Sequence, residues 1–117
     1  MADASPGEVL ERMVDAFSTG DTSSVGEYVS VEYLDHQGLD GRSVRGTDGF
    51  ASVVAVARSA YVSLEVSVLE VTTHADKIEG RLAWRGVRHD RVEHYRETIE
   101  TLRVAHGQAV EHWGRPL

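Results

Sequence analysis

The spacing of apolar residues changes near position 60, from a helical period to alternation. In the first stretch, Val9, Leu10, Met13, Val14 and Phe17 recur at positions that share one side of a helix. Ser5-Pro6-Gly7-Glu8 supplies a capping box with proline at the first helical position, and Gly20 is a natural residue to close the helix. A helix over roughly 6–19 follows. Asp21 or Thr22 is placed to cap a second, short helix carrying Val25, Tyr28 and Val29, and Val31 to His36 reads as a short extended piece leaving it. The segment 37–46 holds Gly38, Gly41 and Gly46 and little apolar content, which predicts a loop. Thr47 then caps a third helix with Phe50, Val53, Val54 and Ala57 on one face.

Beyond Ala60 the texture is that of strands. Leu64, Val66 and Val68 alternate with Glu65 and Ser67 in a region rich in β-branched residues. Ala75-Asp76 marks a turn, and Ile78, Gly80, Leu82 and Trp84 alternate with Glu79, Arg81, Ala83 and Arg85. A polar hairpin loop at 88–91 leads to a third strand over about 93–104, and a turn at His106-Gly107 leads to a fourth over about 108–114. Helices followed by an antiparallel meander define an α+β domain, with four main strands wrapped over three N-terminal helices. A sheet curved in this way leaves a concave pocket, a frequent place for ligands. The expectation is a single domain spanning 1–117.

Composition narrows the function classes. Of 117 residues, 41% are hydrophobic and 26% charged, ordinary values for a globular chain. The formal charge of −7, from 12 basic and 19 acidic side chains, repels phosphate backbones and argues against nucleic acid as a partner. There are no cysteines, which removes disulfides, thiolate metal sites and cysteine nucleophiles. No apolar run approaches the roughly 20 residues that cross a bilayer, and the first residues lack the pattern of a secretory signal, so a cytoplasmic location without membrane contact is expected.

The candidate chemistry lies in the last two strands. Glu100 and His112 fall at alternating positions that could share a face with apolar residues, and a carboxylate and an imidazole so placed need either a partner or a task. Even spacing puts Thr98, Glu100 and Leu102 on one side of their strand, and Leu82 and Trp84 on one side of theirs. A pair formed by Glu100 and His112 could be catalytic or a structural ion pair. His89 and His94, with Asp90 and Glu93 nearby, surround a hairpin turn and match no metal-ligand spacing, so no metal is expected.

Gly20-Asp21, Tyr33-Leu-Asp-His36, Arg45-Gly-Thr-Asp-Gly-Phe50, Arg81-Leu-Ala-Trp-Arg-Gly86, Leu102-Arg-Val104, Gly107 and Val110-Glu-His-Trp113 occur in this order. Together they resemble the SnoaL-like polyketide cyclases, a branch of the superfamily that shares the fold of nuclear transport factor 2 and ketosteroid isomerase. The resemblance implies a cone of curved sheet closed by helices, dimeric through the outer sheet face, where Ile99, Thr101 and Trp113 would lie. It also implies an acid/base-promoted aldol cyclisation of a hydrophobic, carbonyl-rich metabolite in secondary metabolism, with no metal or organic cofactor. The family's last strand carries a His before Trp, matched by His112 and Trp113, followed by the catalytic Asp of the cyclases. Here that residue is Gly114. With the shared face turned to the cavity, Glu100 is the replacement in reach as general acid/base, with His112 as its partner or as an oxyanion donor. His36 matches the family's Tyr-x-x-His element and would add a polar contact, while Phe17, Tyr33, Trp84, Thr98 and Leu102 would shape the cavity. Asp35 reads as a solvated turn residue. The turn over 87–92 is shorter than the family's usual connection, which could open the pocket mouth or shrink the pocket. The same fold hosts isomerases, dehydratases, epoxide hydrolases, hydroxylation accessories and non-enzymatic binding modules, which stand as alternatives.

Overall fold

The N-terminal signals act as the sequence predicts. In a computed structural model that describes residues 3–117, helix α1 runs Pro6–Thr19. The Glu8 N–H donates to Ser5 Oγ (3.2 Å) and the Ser5 N–H donates to Glu8 Oε1 (3.3 Å), so two N–H groups at this end are satisfied reciprocally. Gly20 closes the helix at φ 79°, a left-handed conformation that costs glycine little. The stripe Val9, Leu10, Met13 and Val14 is buried against the sheet.

After α1 the order is a 3₁₀ turn at Val25–Glu27, β1 (Val29–Leu39), β2 (Arg42–Arg45), α2 (Gly46–Ser59), β3 (Tyr61–His74), β4 (Lys77–Arg88), β5 (Glu93–Ala105) and β6 (Gln108–Pro116). The six strands form one sheet in the order β2-β1-β6-β5-β4-β3. The meander β3 to β6 is antiparallel, as the alternation predicts, but β1 joins the edge of β6 in parallel, making the sheet mixed.

Three expectations are corrected. The second helix contracts to a single 3₁₀ turn because Tyr28 and Val29 are already committed to the sheet, with the Ala109 N–H donating to the Tyr28 carbonyl (2.8 Å). The segment 37–46 is not a loop: β1 continues to Leu39 and folds back as β2, the reversal carried by Asp40 and Gly41 at positive φ. Thr47 does not cap α2, which begins at Gly46 with Arg45 at the cap position and no side-chain cap bond.

The concave face of the sheet and the two helices enclose the core. Phe17 packs edge-on against Phe50 (5.8 Å between ring centroids) and Trp84 (5.2 Å), and Tyr33 packs edge-on against Phe50 (6.2 Å). Such T-shaped pairs add to the gain from burying the rings themselves. No helix among the described residues is long and apolar enough to cross a membrane.

Candidate active site

Three neighbouring strands meet where the core turns polar. Leu102 of β5 and Asp35 of β1 both pair with His112 of β6, which lies between them, and Glu100 pairs with Gly114 one step further along. Side chains at matched register positions share a sheet face. Asp35, His112 and Glu100 therefore all point into the concave side.

They form one chain of hydrogen bonds. His112 Nδ1 lies 2.7 Å from Asp35 Oδ1, and His112 Nε2 lies 2.7 Å from Glu100 Oε1. Asp35 Oδ1 also accepts the backbone N–H groups of Gln37 (2.9 Å) and Gly38 (3.0 Å), which fixes it on the β1 side. Asp35 is 2% exposed and Glu100 9%. Burial pushes the His112 pKa down, but hydrogen bonds to the two carboxylates, and their charges, outweigh it and raise the ring to about 9. At neutral pH the ring is an imidazolium donating from both nitrogens. Burial likewise pushes Asp35 up, and the bond and charge of His112 with the two backbone donors bring it net below its ordinary value. Tyr33, buried beside these carboxylates, is pushed well above the usual phenol range by desolvation and then by Asp35 and Glu100.

The chain forms part of the wall of a cavity of about 230 Å³. Leu10, Met13, Val14 and Phe17 of α1 and Phe50 and Val53 of α2 supply apolar walls, and Gln37 and Arg96 stand at polar positions in the lining. Trp84 Nε1–H donates to Thr98 Oγ1 (2.8 Å), fixing the indole as a wall and leaving the hydroxyl proton free for another acceptor. Glu100 Oε2 makes no hydrogen bond among the described residues and is not sealed from the cavity. A carboxylate with one oxygen held by an imidazolium and the other bare in an apolar chamber can take a proton from carbon or return one to oxygen.

Of the residues singled out in the sequence, Glu100, His112, Phe17, Tyr33, Trp84, Thr98 and Leu102 all line this cavity. His36 does not. It lies on the opposite sheet face, with Nε2 2.6 Å from Glu111 Oε2 and its ring stacked on Trp113 at 5.0 Å, because adjacent residues of a strand point to opposite sides. The polar contact expected of His36 falls to Asp35, one residue earlier, which sequence reasoning set aside as a turn residue. The signal for it was the alternation Tyr33, Asp35, Gln37. Among the described residues, no three His, Cys, Asp or Glu side chains form a group that could hold a metal ion.

The chain is similar to known proteins in both sequence and fold. The chain is 37% identical over 79 residues to the aklanonic acid methyl ester cyclase AcmA of Streptomyces galilaeus, a match covering 66% of this chain and 54% of that protein. The matched stretch thus spans about half the length of that relative. Among solved structures, wild-type IdmH of Streptomyces antibioticus superposes with a TM-score of 0.79 at 20% identity, covering 94% of this chain and 90% of that one. TsrD of Streptomyces laurentii superposes with a TM-score of 0.80 at 16% identity, covering 93% and 85%. At these identities the likeness is one of fold. Residues 7–116 match the SnoaL-like polyketide cyclases, and it is to that family that the chain belongs.

Proposed function

We propose that the chain is a cofactor-independent acid/base enzyme that closes a ring in a hydrophobic, carbonyl-rich metabolite by an intramolecular aldol reaction. The observation that carries this reading is Glu100: buried, one oxygen bound to the His112 imidazolium, the other bare toward the cavity. Glu100 Oε2 takes the proton from a carbon next to a carbonyl, and the resulting enolate carbon attacks a second carbonyl of the same molecule. A carbon–carbon bond forms, the attacked carbonyl oxygen becomes an alkoxide, and Glu100 returns the proton to it. Atoms and charge balance without a further reactant. His112 holds Glu100 in position before the proton arrives, with Asp35 holding the ring in its doubly protonated form. The apolar walls exclude water that would otherwise protonate the enolate.

The relative's name, aklanonic acid methyl ester cyclase, supports a cyclisation of this kind. Incubating the protein in D₂O with aklanonic acid methyl ester follows both halves of the reaction, as deuterium uptake at the acidic carbon and as cyclised product. Glu100→Gln is expected to lower both by about a thousandfold or more while the far-ultraviolet circular dichroism is unchanged. Retained exchange in a folded Glu100→Gln variant removes Glu100 from the role.

A further inference from the structure

A second recess of about 300 Å³ adjoins the main cavity and shares Ala57, Trp84 and Arg96 with it. Its remaining polar lining comes from Tyr61 of β3 and from Arg88, His94 and Tyr95 at the β4–β5 end of the sheet. No acidic residue lines it, in a chain whose formal charge is −7. Both arginines lie on aromatic faces: Arg96 Cζ is 5.0 Å from the Trp84 ring centroid and Arg88 Cζ is 5.8 Å from that of Tyr61. Stacking holds each guanidinium plane in place while leaving its N–H edges free. Elsewhere Arg12, Arg81 and Arg103 pair with carboxylates, and Arg58 donates to the carbonyls of Phe17 and Ser18. Arg88 and Arg96, like Arg42, Arg45, Arg85, Arg91 and Arg115, have no such partner among the described residues.

Two further features keep the recess open. The β4–β5 turn is tight, closed by the Arg88 N–H donating to the Val92 carbonyl (3.0 Å), so no long connection folds over it. The Tyr61 ring lies flat against Gly86, where any Cβ would run into it, and this lets the ring form the floor.

We infer that this recess is a carboxylate subsite, and that the substrate of the proposed reaction carries a free carboxylate at the end held by Arg88 and Arg96. This rests on the proposed function for its link to turnover, but not for binding. Along the inner face of β5 the residues run His94, Arg96, Thr98, Glu100. At about 3.4 Å per residue, Arg96 and Glu100 are about 14 Å apart along the strand. The pocket therefore has a polarity. A carboxylate placed beside Glu100 and Asp35 is repelled, while one placed at the recess pairs with two guanidiniums and lies further from the acid/base. The neutral, carbonyl-bearing part is thereby delivered to Glu100.

The test is binding of an unreactive aromatic acid, anthraquinone-2-carboxylate, against its methyl ester, followed by quenching of tryptophan fluorescence. The carboxylate is expected to bind about tenfold more tightly than the ester, and Arg88→Gln with Arg96→Gln is expected to abolish the preference. Raising the salt concentration weakens only the acid. Glu100→Gln keeps the preference, so a failure of the catalytic role and a failure of the subsite are read separately. Equal binding of acid and ester by the unaltered protein, or a preference surviving in the double variant, overturns the assignment. Arg96→Lys, which keeps the charge and loses the planar fork, is expected to retain part of the preference.

Discussion

Glu100 and Gly114 are cross-strand partners, and the carboxylate of the first fills the space a side chain on the second would need. A Cβ built on Gly114 lies 2.6 Å from Glu100 Oε1 and runs into the Gln37 amide. The site has room for one carboxylate at this level of the sheet, delivered from β5 or from β6. The catalytic Asp that the family resemblance leads one to expect at 114 is thus matched by an acid on the facing strand.

Gly114→Asp alone is therefore expected to lower turnover by about tenfold or more, because a third carboxylate is crowded against an imidazolium that already holds two, and Gln37 must move. Combined with Glu100→Ala, the same change is expected to restore turnover above that of Glu100→Ala alone. Steady-state rates of the four proteins form a double-mutant cycle. An additive cycle would mean that the two positions do not share one role.

Asp35→Asn tests the far end of the chain. It removes one of two anions holding His112 charged, so the ring's pKa moves down from about 9 toward neutrality. The alkaline limb of kcat against pH should shift to lower pH by about one unit or more, with a smaller loss near pH 6. A limb that stays in place, with only a uniform drop in rate, would leave Asp35 a purely structural residue.

The same ring makes stability depend on pH. The folded pKa of about 9 lies above the ordinary 6.5, so the stabilisation is fully present below about 6.5 and is lost as pH rises toward 9. Asp35, held below 3.8, contributes stability that is present above 3.8 and is lost as pH falls through its lower folded value. Melting temperature should be highest between about pH 4 and 6.5 and fall by roughly 10 °C by pH 9. His112→Asn should flatten the alkaline fall, and a variant as steep as the parent would place the effect elsewhere.

Gly38 supports the site from behind. Its φ is 52°, and a Cβ there would strike the Arg42 carbonyl across the β1–β2 hairpin, while its N–H holds Asp35. Gly38→Ala is expected to cost about 2–3 kcal/mol in urea unfolding, from strain and clash together. Gly41→Ala, at φ 74° with nothing within 4 Å of the added Cβ, carries only the strain, about 1 kcal/mol. Equal losses would show that backbone strain alone decides both positions.

What the sequence disclosed and what it hid follow one physical division. Thr98, Glu100, Leu102 and His112 were legible because a period of two assigns faces without knowledge of neighbours, and α1 was legible because Ser5, Glu8 and Gly20 are local signals. Asp35 was hidden because its meaning depends on β1 meeting β6, a parallel pairing between residues 77 apart that no local pattern announces. His36 was misassigned by a motif match that overrode parity within the same strand. The β1–β2 hairpin was hidden by composition, since Gly38, Gly41 and Gly46 read as loop although they serve the reversal and the start of a helix. The basic recess depends on β4 and β5 setting Trp84 beside Arg96, and on Arg88 reaching Tyr61 of β3.

The position of β6 within the sheet has a kinetic consequence. The last strand of the chain lies between β1 and β5 rather than at an edge, and it carries His112. Until it docks, the early and late parts of the sheet are not joined, and Asp35 and Glu100 have no cation between them. Like-charged groups converging on an apolar space oppose collapse there, so the Asp35–His112–Glu100 chain forms only in the step that completes the sheet. Contacts this distant in sequence form slowly, and a chain arrested before that step would have neither a joined sheet nor this chain of hydrogen bonds.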